Sequence, residues 1–170
     1  MTIWFTGDTH FGHENIIHYT NRPYANAKEM DAAFIENWNS VVEPLDNVYH
    51  LGDLSFGPRC KDIIYIQRIV RKLNGVKHLI LGNHDHQKPQ WYNEAGFSSV
   101  HYPYLTVEEF DCTHNPHEWD VGKSEDFFLS AHVHTSWKMR GQAINVGVDQ
   151  WDYKPVSIEE IREYINGNKN

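Results

Sequence analysis

The 170-residue chain has little cysteine, little positive charge and no long apolar run. Its two cysteines, Cys60 and Cys112, form no Cys-x-x-Cys pair and lie too far apart for a disulfide framework, so buried free thiols are expected. No hydrophobic stretch approaches the roughly 20 residues of a membrane span. The opening Met1-Thr2-Ile3-Trp4-Phe5-Thr6 has no basic segment ahead of an apolar one. The expectation is a soluble, cytoplasmic protein with no membrane partner. Fifteen Lys and Arg against 23 Asp and Glu give a net charge of -8. This excludes a broad basic surface for duplex nucleic acid, because such binding rests on many phosphate neutralisations. Phosphate substrates are not excluded, since bound cations turn an acidic cluster into an anion site. No repeat, linker or low-complexity tract is present, and the length suits a single domain, 1–170, with no room for a separate substrate domain.

The chain is rich in histidine, with twelve residues, and in short polar islands that each close an apolar run. These are Gly7-Asp8-Thr9-His10, Gly52-Asp53, Gly82-Asn83-His84-Asp85, His114-Asn115-Pro116 and Ala131-His132-Val133-His134. Three follow strand-like runs at residues 3–6, 48–51 and 78–81, so polar side chains emerge where a buried sheet ends. Helices are predicted over residues 14–19, over 27–42, where Met30, Phe34, Trp38 and Val41 recur at helical spacing, and over 61–73, which Asn74-Gly75 ends. The alternation predicts parallel strands joined by crossover helices. After Phe97 the segments 99–102, 104–110, 127–131 and 143–146 predict a second, more antiparallel sheet, and 158–165 a terminal helix.

Histidine is the commonest metal ligand. Carboxylate, imidazole and amide oxygen donors suit hard or borderline divalent ions, and one shared carboxylate brings two such ions close. Asp8 and His10 are two residues apart, as are His132 and His134, so on a continuing strand each pair leaves on one side. Asn83 offers its amide oxygen, whereas its neighbour His84 points elsewhere and stays free for substrate.

In order and spacing, these islands resemble the motifs of the calcineurin-like metallophosphoesterases: Asp-x-His, Gly-Asp, Gly-Asn-His-Asp/Glu, His and Gly-His-x-His. The resemblance spans nearly the whole chain, and Asp8-Thr9-His10-Phe11-Gly12-His13 looks like the small single-domain bacterial and phage members. It implies a four-layer α/β/β/α sandwich with two facing mixed sheets and a metal site where loops meet at one edge. It also implies that Asp8, His10, Asp53 and His134 hold one divalent ion, that Asp53, Asn83, His114 and His132 hold the other, and that Asp53 bridges them. Manganese is the leading ion, with iron, zinc and nickel as alternatives. The implied reaction is phosphoester hydrolysis, with a metal-bridged hydroxide attacking phosphorus in line. His84 assists the leaving group and Asp85 orients it. Ala131 departs from the usual glycine, which matters only if the backbone there needs positive φ. His101 and His117 compete with His114 for its role.

The short chain implies an open cleft, which favours phosphodiesters such as nucleotides or nucleic-acid ends over an enclosed metabolite. A phosphomonoesterase and a noncatalytic binding scaffold of the same fold are the alternatives. The His-x-His-x-Asp-His run of metallo-β-lactamase-type hydrolases is absent. His13 and Arg22 are candidate substrate contacts, each weighed against a structural role. Trp4, Phe34, Trp38, Phe56, Trp91, Phe97 and Phe128 read as core, and Trp119, Trp137 and Trp151 as loop aromatics near the site. His18, His50, His78 and His86 read as structural, Asn145 as a support for the ligands and Asp149 as structural. The run Glu108-Glu109-Phe110-Asp111 reads as a solvated strand face. A monomer and a homodimer are equally compatible with the pattern.

Overall fold

The computed structural model describes residues 1–117 and 126–168. Strand β1 (Ile3–Thr6) leads into helices α1 (Glu14–Tyr19) and α2 (Ala27–Asn39), followed by β2 (Asn47–His50), α3 (Ile63–Val70), β3 (Val76–Ile80), α4 (Pro89–Ala95) and β4 (Ser99–His101). Next come β5 (Tyr104–Val107), β6 (Phe110–Thr113), β7 (Phe128–Ser130), β8 (Met139–Arg140) and β9 (Ala143–Asn145). A 3-10 turn at Val148–Gln150, β10 (Val156–Ser157) and α5 (Ile158–Asn168) complete the chain. None of these helices is long and apolar enough to cross a membrane.

The first sheet has the order β10-β1-β2-β3-β4, with β1 to β4 parallel and β10 antiparallel to β1. The second has the order β5-β6-β7-β9-β8, with antiparallel outer pairs and parallel inner ones, so it is indeed the more antiparallel of the two. Helices α2, α3 and α4 cover the outer face of the first sheet, where Met30, Phe34, Trp38, Ile66, Tyr92, Val48 and Leu79 pack into one core. The other core lies between the sheets, with Phe5, Leu51 and Ile80 facing Cys112, Leu129 and Ile144. Helix α5 follows β10 and sends Ile158, Ile161 and Ile165 into this inter-sheet core.

Local chemistry explains the element ends. Asn26 and Asp62 cap α2 and α3 through side-chain bonds to backbone amides in the first turn. The prediction of helix 27–42 overshoots, because the chain leaves the helix after Asn39, and 61–73 overshoots at both ends of α3. Helix α4 goes unpredicted, although Pro89 at its start and Gly96, with φ 119° at its end, are a known pair of helix boundaries. The predicted strand 104–110 is two strands of a hairpin, because Glu108 takes φ 51° and turns the chain. The acidic run is therefore no strand face: Phe110 is buried and Glu109 pairs with Arg162 across to α5. The two-residue strands β8 and β10 are too short for a periodicity signal.

Asp46 ties the first strand to the turn before β2. Its carboxylate accepts from Thr2 N at 2.7 Å, Trp4 Nε1 at 2.9 Å and Glu43 N at 3.0 Å. These bonds, that from Thr2 first, hold its pKa below the ordinary value. A depressed folded-state pKa means the stabilisation is present above the unfolded value of about 4 and is lost as pH falls through the folded one. We expect Asp46→Ala to lower unfolding free energy by about 2 kcal/mol at neutral pH. In urea titrations the gap to the wild type should narrow in acid.

The ends of β1 and β7 meet closely below the loops that follow them. A Cβ on Gly7 would lie 2.7 Å from the Cβ of Ala131. Ala131 does not take positive φ, so its methyl is accommodated by the absence of one on Gly7. We predict that Gly7→Ala destabilises the fold by about 1–3 kcal/mol through overpacking. Adding Ala131→Gly should restore most of the loss in thermal denaturation, and additivity of the two changes would contradict this packing argument.

Candidate metal centre

Loops at the carboxyl ends of β1, β2, β3, β6 and β7 converge on one edge of the two sheets. The sequence argument that Asp8 and His10 leave one side of a continuing strand is corrected here. Strand β1 ends at Thr6, and Asp8 and His10 take φ 54° and 50°. His132 and His134 likewise take φ 70° and 46°, and Asp53 takes 55°. Left-handed backbone swings each side chain in a direction that a strand would not allow. Hydrogen bonds hold these turns: Asp8 N donates to Gly52 O, His10 N to Asp53 O, and Phe11 N to Leu54 O. Gly52 is obligatory, because a Cβ there would lie 2.6 Å from Gly82 Cα and 2.7 Å from His114 Nδ1.

Two triads result. Ligand atoms of Asp8, His10 and His134 lie within 4.8 Å of one another, and so do those of Asp53, His114 and His132. Asp53 stands between them: its Oδ2 is 3.6 Å from His10 Nε2 and 3.5 Å from His114 Nε2. The Asn83 amide oxygen joins the second triad, 2.9 Å from His114 Nε2. His101, the competitor for the His114 position, instead bonds Ser99 on β4, and His117 lines the pocket mouth without entering either triad.

The donors fit divalent ions on physical grounds. Asp8 Oδ1 and both ring nitrogens of His10 are buried without a hydrogen-bond partner in the chain. Unmet groups of this kind cost about 1–3 kcal/mol each unless something binds them. Burial raises the Asp8 pKa to about 6, against the pull of His134 and His114, and pushes His10 well below its ordinary value. Burial opposes charge on Asp53 and on His114 too, but their mutual attraction outweighs it. Asp53 is held low, and His114 rises to about 9 with help from Asp8.

Neighbouring groups fix the ring tautomers. His114 Nδ1 is 2.7 Å from Leu51 O, which can only accept, so Nδ1 carries the proton and Nε2 faces the centre. His134 Nδ1 donates in the same way to Asp149 Oδ2 at 2.9 Å. Asn145 donates to His134 O at 2.9 Å, as its supporting reading anticipated. His50 lies fully buried beneath the centre, bonded to Thr9 Oγ1.

Two sequence expectations are corrected. Arg22 is 3 % exposed, and its guanidinium is engaged by Asp149, Thr9 O, Asp8 O and Met30 Sδ, so no donor is left for a substrate. Asp85 does not touch the His84 ring; its carboxylate accepts from Asp53 N, Leu54 N and Gly82 N and so braces two of the ligand loops together. Trp151 packs against Lys138 and Tyr164 and Trp137 does not line the pocket, while Trp119 lies outside the described residues.

His84 stands at the wall of a pocket of about 680 Å³ beside the triads, 4.0 Å from Asp53 Oδ2 by its Nε2. His13 lines the same pocket with a buried, unpartnered Nδ1. Phe56, which spacing assigns to the core, instead lies 4.5 Å from both the His13 and the His84 rings. Its position after a left-handed loop is not readable from periodicity.

The chain is similar along nearly its whole length to several known proteins. An uncharacterised protein of Methanocaldococcus jannaschii is 34% identical over 175 residues, covering 98% of this chain and 93% of that one. The gene 66 protein of Mycobacterium phage L5 is 28% identical over 198 residues, covering 96% and 93%. A solved structure of a protein of unknown function from Aquifex aeolicus superposes with a TM-score of 0.72 at 27% identity, covering 96% of this chain and 98% of that one. The family model for calcineurin-like phosphoesterases matches residues 1–154, from the first strand to the turn before β10. Matched over that span, the chain belongs to the calcineurin-like phosphoesterase family.

Proposed function

We propose that this protein is a two-metal phosphodiesterase acting on nucleotides or nucleic-acid ends. The observation that carries the reading is the meeting of two ligand triads at Asp53, beside a pocket with His84 in its wall. In this reading Asp8, His10, Asp53 and His134 hold one ion, and Asp53, Asn83, His114 and His132 hold the other. Two divalent ions there supply Lewis acidity, lowering the pKa of water and offsetting charge on phosphate oxygens. Oxygen and imidazole donors without a thiolate suit manganese first, with iron, zinc and nickel also served.

The chain's own residues do the rest. Leu51 O and Asp149 keep His114 and His134 turned inward as neutral donors once their protons are displaced. His84, half-exposed and outside both triads, hands a proton to the departing oxygen, while the exposed Tyr19 and the half-buried Phe56 leave room for the second ester group of a diester. His13, which lines the same pocket, contacts a phosphate oxygen or the leaving group.

Manganese-loaded protein should hydrolyse bis-p-nitrophenyl phosphate faster than p-nitrophenyl phosphate, and both chelation and Asp53→Asn should abolish the activity. Preference for the monoester would make the protein a phosphatase. A folded, metal-loaded chain inert to both would favour the scaffold reading. His84→Ala should reduce kcat by about 10²–10⁴-fold, the usual worth of general acid catalysis, with bound metal unchanged by elemental analysis. Loss of metal together with activity would instead make His84 a ligand.

A further inference from the structure

Four of the fifteen Lys and Arg side chains, Lys28, Arg59, Arg68 and Lys72, line one groove of about 560 Å³ between α2 and α3. All four are exposed. Among the described residues Lys28, Arg68 and Lys72 enter no ion pair, and Arg59 lies 5.5 Å over the Tyr65 ring. The acid lining the groove, Asp31, has both oxygens engaged: one accepts from Gly12 N at 3.0 Å, the other from Tyr65 Oη at 2.6 Å. Four cations against this one lining carboxylate, in a chain of net charge -8, make a local excess of positive charge.

The groove and the metal pocket adjoin along one loop. Gly12 lines the groove, while His10 and His13 on the same loop line the pocket. Arg59 follows Phe56 by three residues, a reach of at most about 10 Å. Phe56 and Tyr19, the latter 70 % exposed, both line the pocket, their rings 4.5 and 6.2 Å from that of His13. Several exposed cations beside a phosphate-cleaving centre that is itself lined by aromatic rings match a chain of regularly spaced phosphates carrying bases that stack. A lone phosphate would engage one or two of the four. A duplex would bring a second strand against the remaining acidic surface.

We propose that the α2/α3 groove is a track for the backbone of single-stranded nucleic acid whose end lies in the metal pocket, with Phe56 and Tyr19 stacking bases between the two. The proposal rests on the phosphoesterase reading of the pocket. It applies that reading to one substrate class.

The test is fluorescence anisotropy of a fluorescein-labelled thymidine decamer with hydrolysis-resistant phosphorothioate linkages, titrated with the manganese-loaded full chain. Arg68→Glu with Lys72→Glu should weaken binding by about tenfold or more, and Arg68→Gln with Lys72→Gln should fall between. The melting temperature should be unchanged, since both side chains are exposed. For the wild type, the logarithm of affinity should fall with that of salt concentration with a slope of about -3, four contacts at about -0.7 each. The slope should be shallower in the charge-reversed chain. A labelled dimer, too short to reach the groove, should not distinguish the two proteins. Equal decamer affinity in the wild type and the reversed variant would overturn the track. So would tighter binding of polyglutamate than of the decamer, which would assign the groove to an acidic protein. Decamer binding through the groove by a chain inert to aryl phosphodiesters would keep the track and sink the phosphoesterase reading; the reverse result would sink only the track.

Discussion

The site depends on left-handed backbone at five of its candidate ligands. Asp8, His10, Asp53, His132 and His134 all take φ between 46° and 70°. For residues other than glycine this conformation costs about 1–2 kcal/mol each, so five together are comparable to the whole net stability of a small domain, about 5–15 kcal/mol. Such strain persists only where the surroundings over-determine it. Here the loop after β1 continues a parallel ladder with the loop after β2, from Asp8 through Phe11 against Gly52 through Leu54, although neither loop is a strand. Asp85 then joins the second of these loops to the β3 loop with three amide bonds, and Asp8 Oδ2 joins the β7 loop through His132 N at 2.8 Å. The ligands are therefore braced by the framework before any ion binds, which is the preorganisation a two-ion site needs.

This bracing explains what was legible in the sequence. The order of strands and helices on the first sheet could be read because Met30, Phe34 and Trp38 keep helical spacing and the strands are apolar runs. Which residues come together could be read because carboxylate, imidazole and amide chemistry is carried by residue type. Their directions could not. Alternation along a strand predicts the right companions for Asp8 and His10 for the wrong reason, since the two side chains converge through two left-handed residues rather than through a period of two. For His132 and His134 the same argument would keep the pair together, whereas the structure sends them to different triads. Strands β8 and β10 were missed because two residues cannot show a period, and helix α4 because only Tyr92 and Ala95 of its seven residues are buried, its Pro89 and Gly96 boundaries being the signal that was there.

Phe56 and Asp85 show a second limit. Spacing separates core from surface on a regular element, but Phe56 follows β2 on an irregular loop, where the only guide is which rings it meets. Asp85 stands beside His84 in the sequence, and adjacency suggests that it orients the imidazole. Fully buried, with its carboxylate pKa raised to about 6 by desolvation and the nearby Asp53, it instead satisfies three backbone amides that no strand partner reaches.

Arg22 follows the same logic at higher cost. A buried guanidinium has to be fully compensated, and removing one partner of such a pair typically costs about 3–5 kcal/mol. An apolar side chain would fill that space more cheaply if packing were the only demand. Yet the carbonyls of Asp8 and Thr9, turned inward by the left-handed conformation of Asp8, need donors, and Arg22 reaches them at 2.7 and 3.1 Å. Its remaining charge is met by Asp149, whose other contact is the His134 ring. One cation thus supports ligands from both ends of the chain, Asp8 through its carbonyl and His134 through a shared carboxylate. A lysine, with a single nitrogen and no planar fork, could not span those acceptors. The residue that sequence reasoning offered to the substrate phosphate is the one that holds the first triad in register.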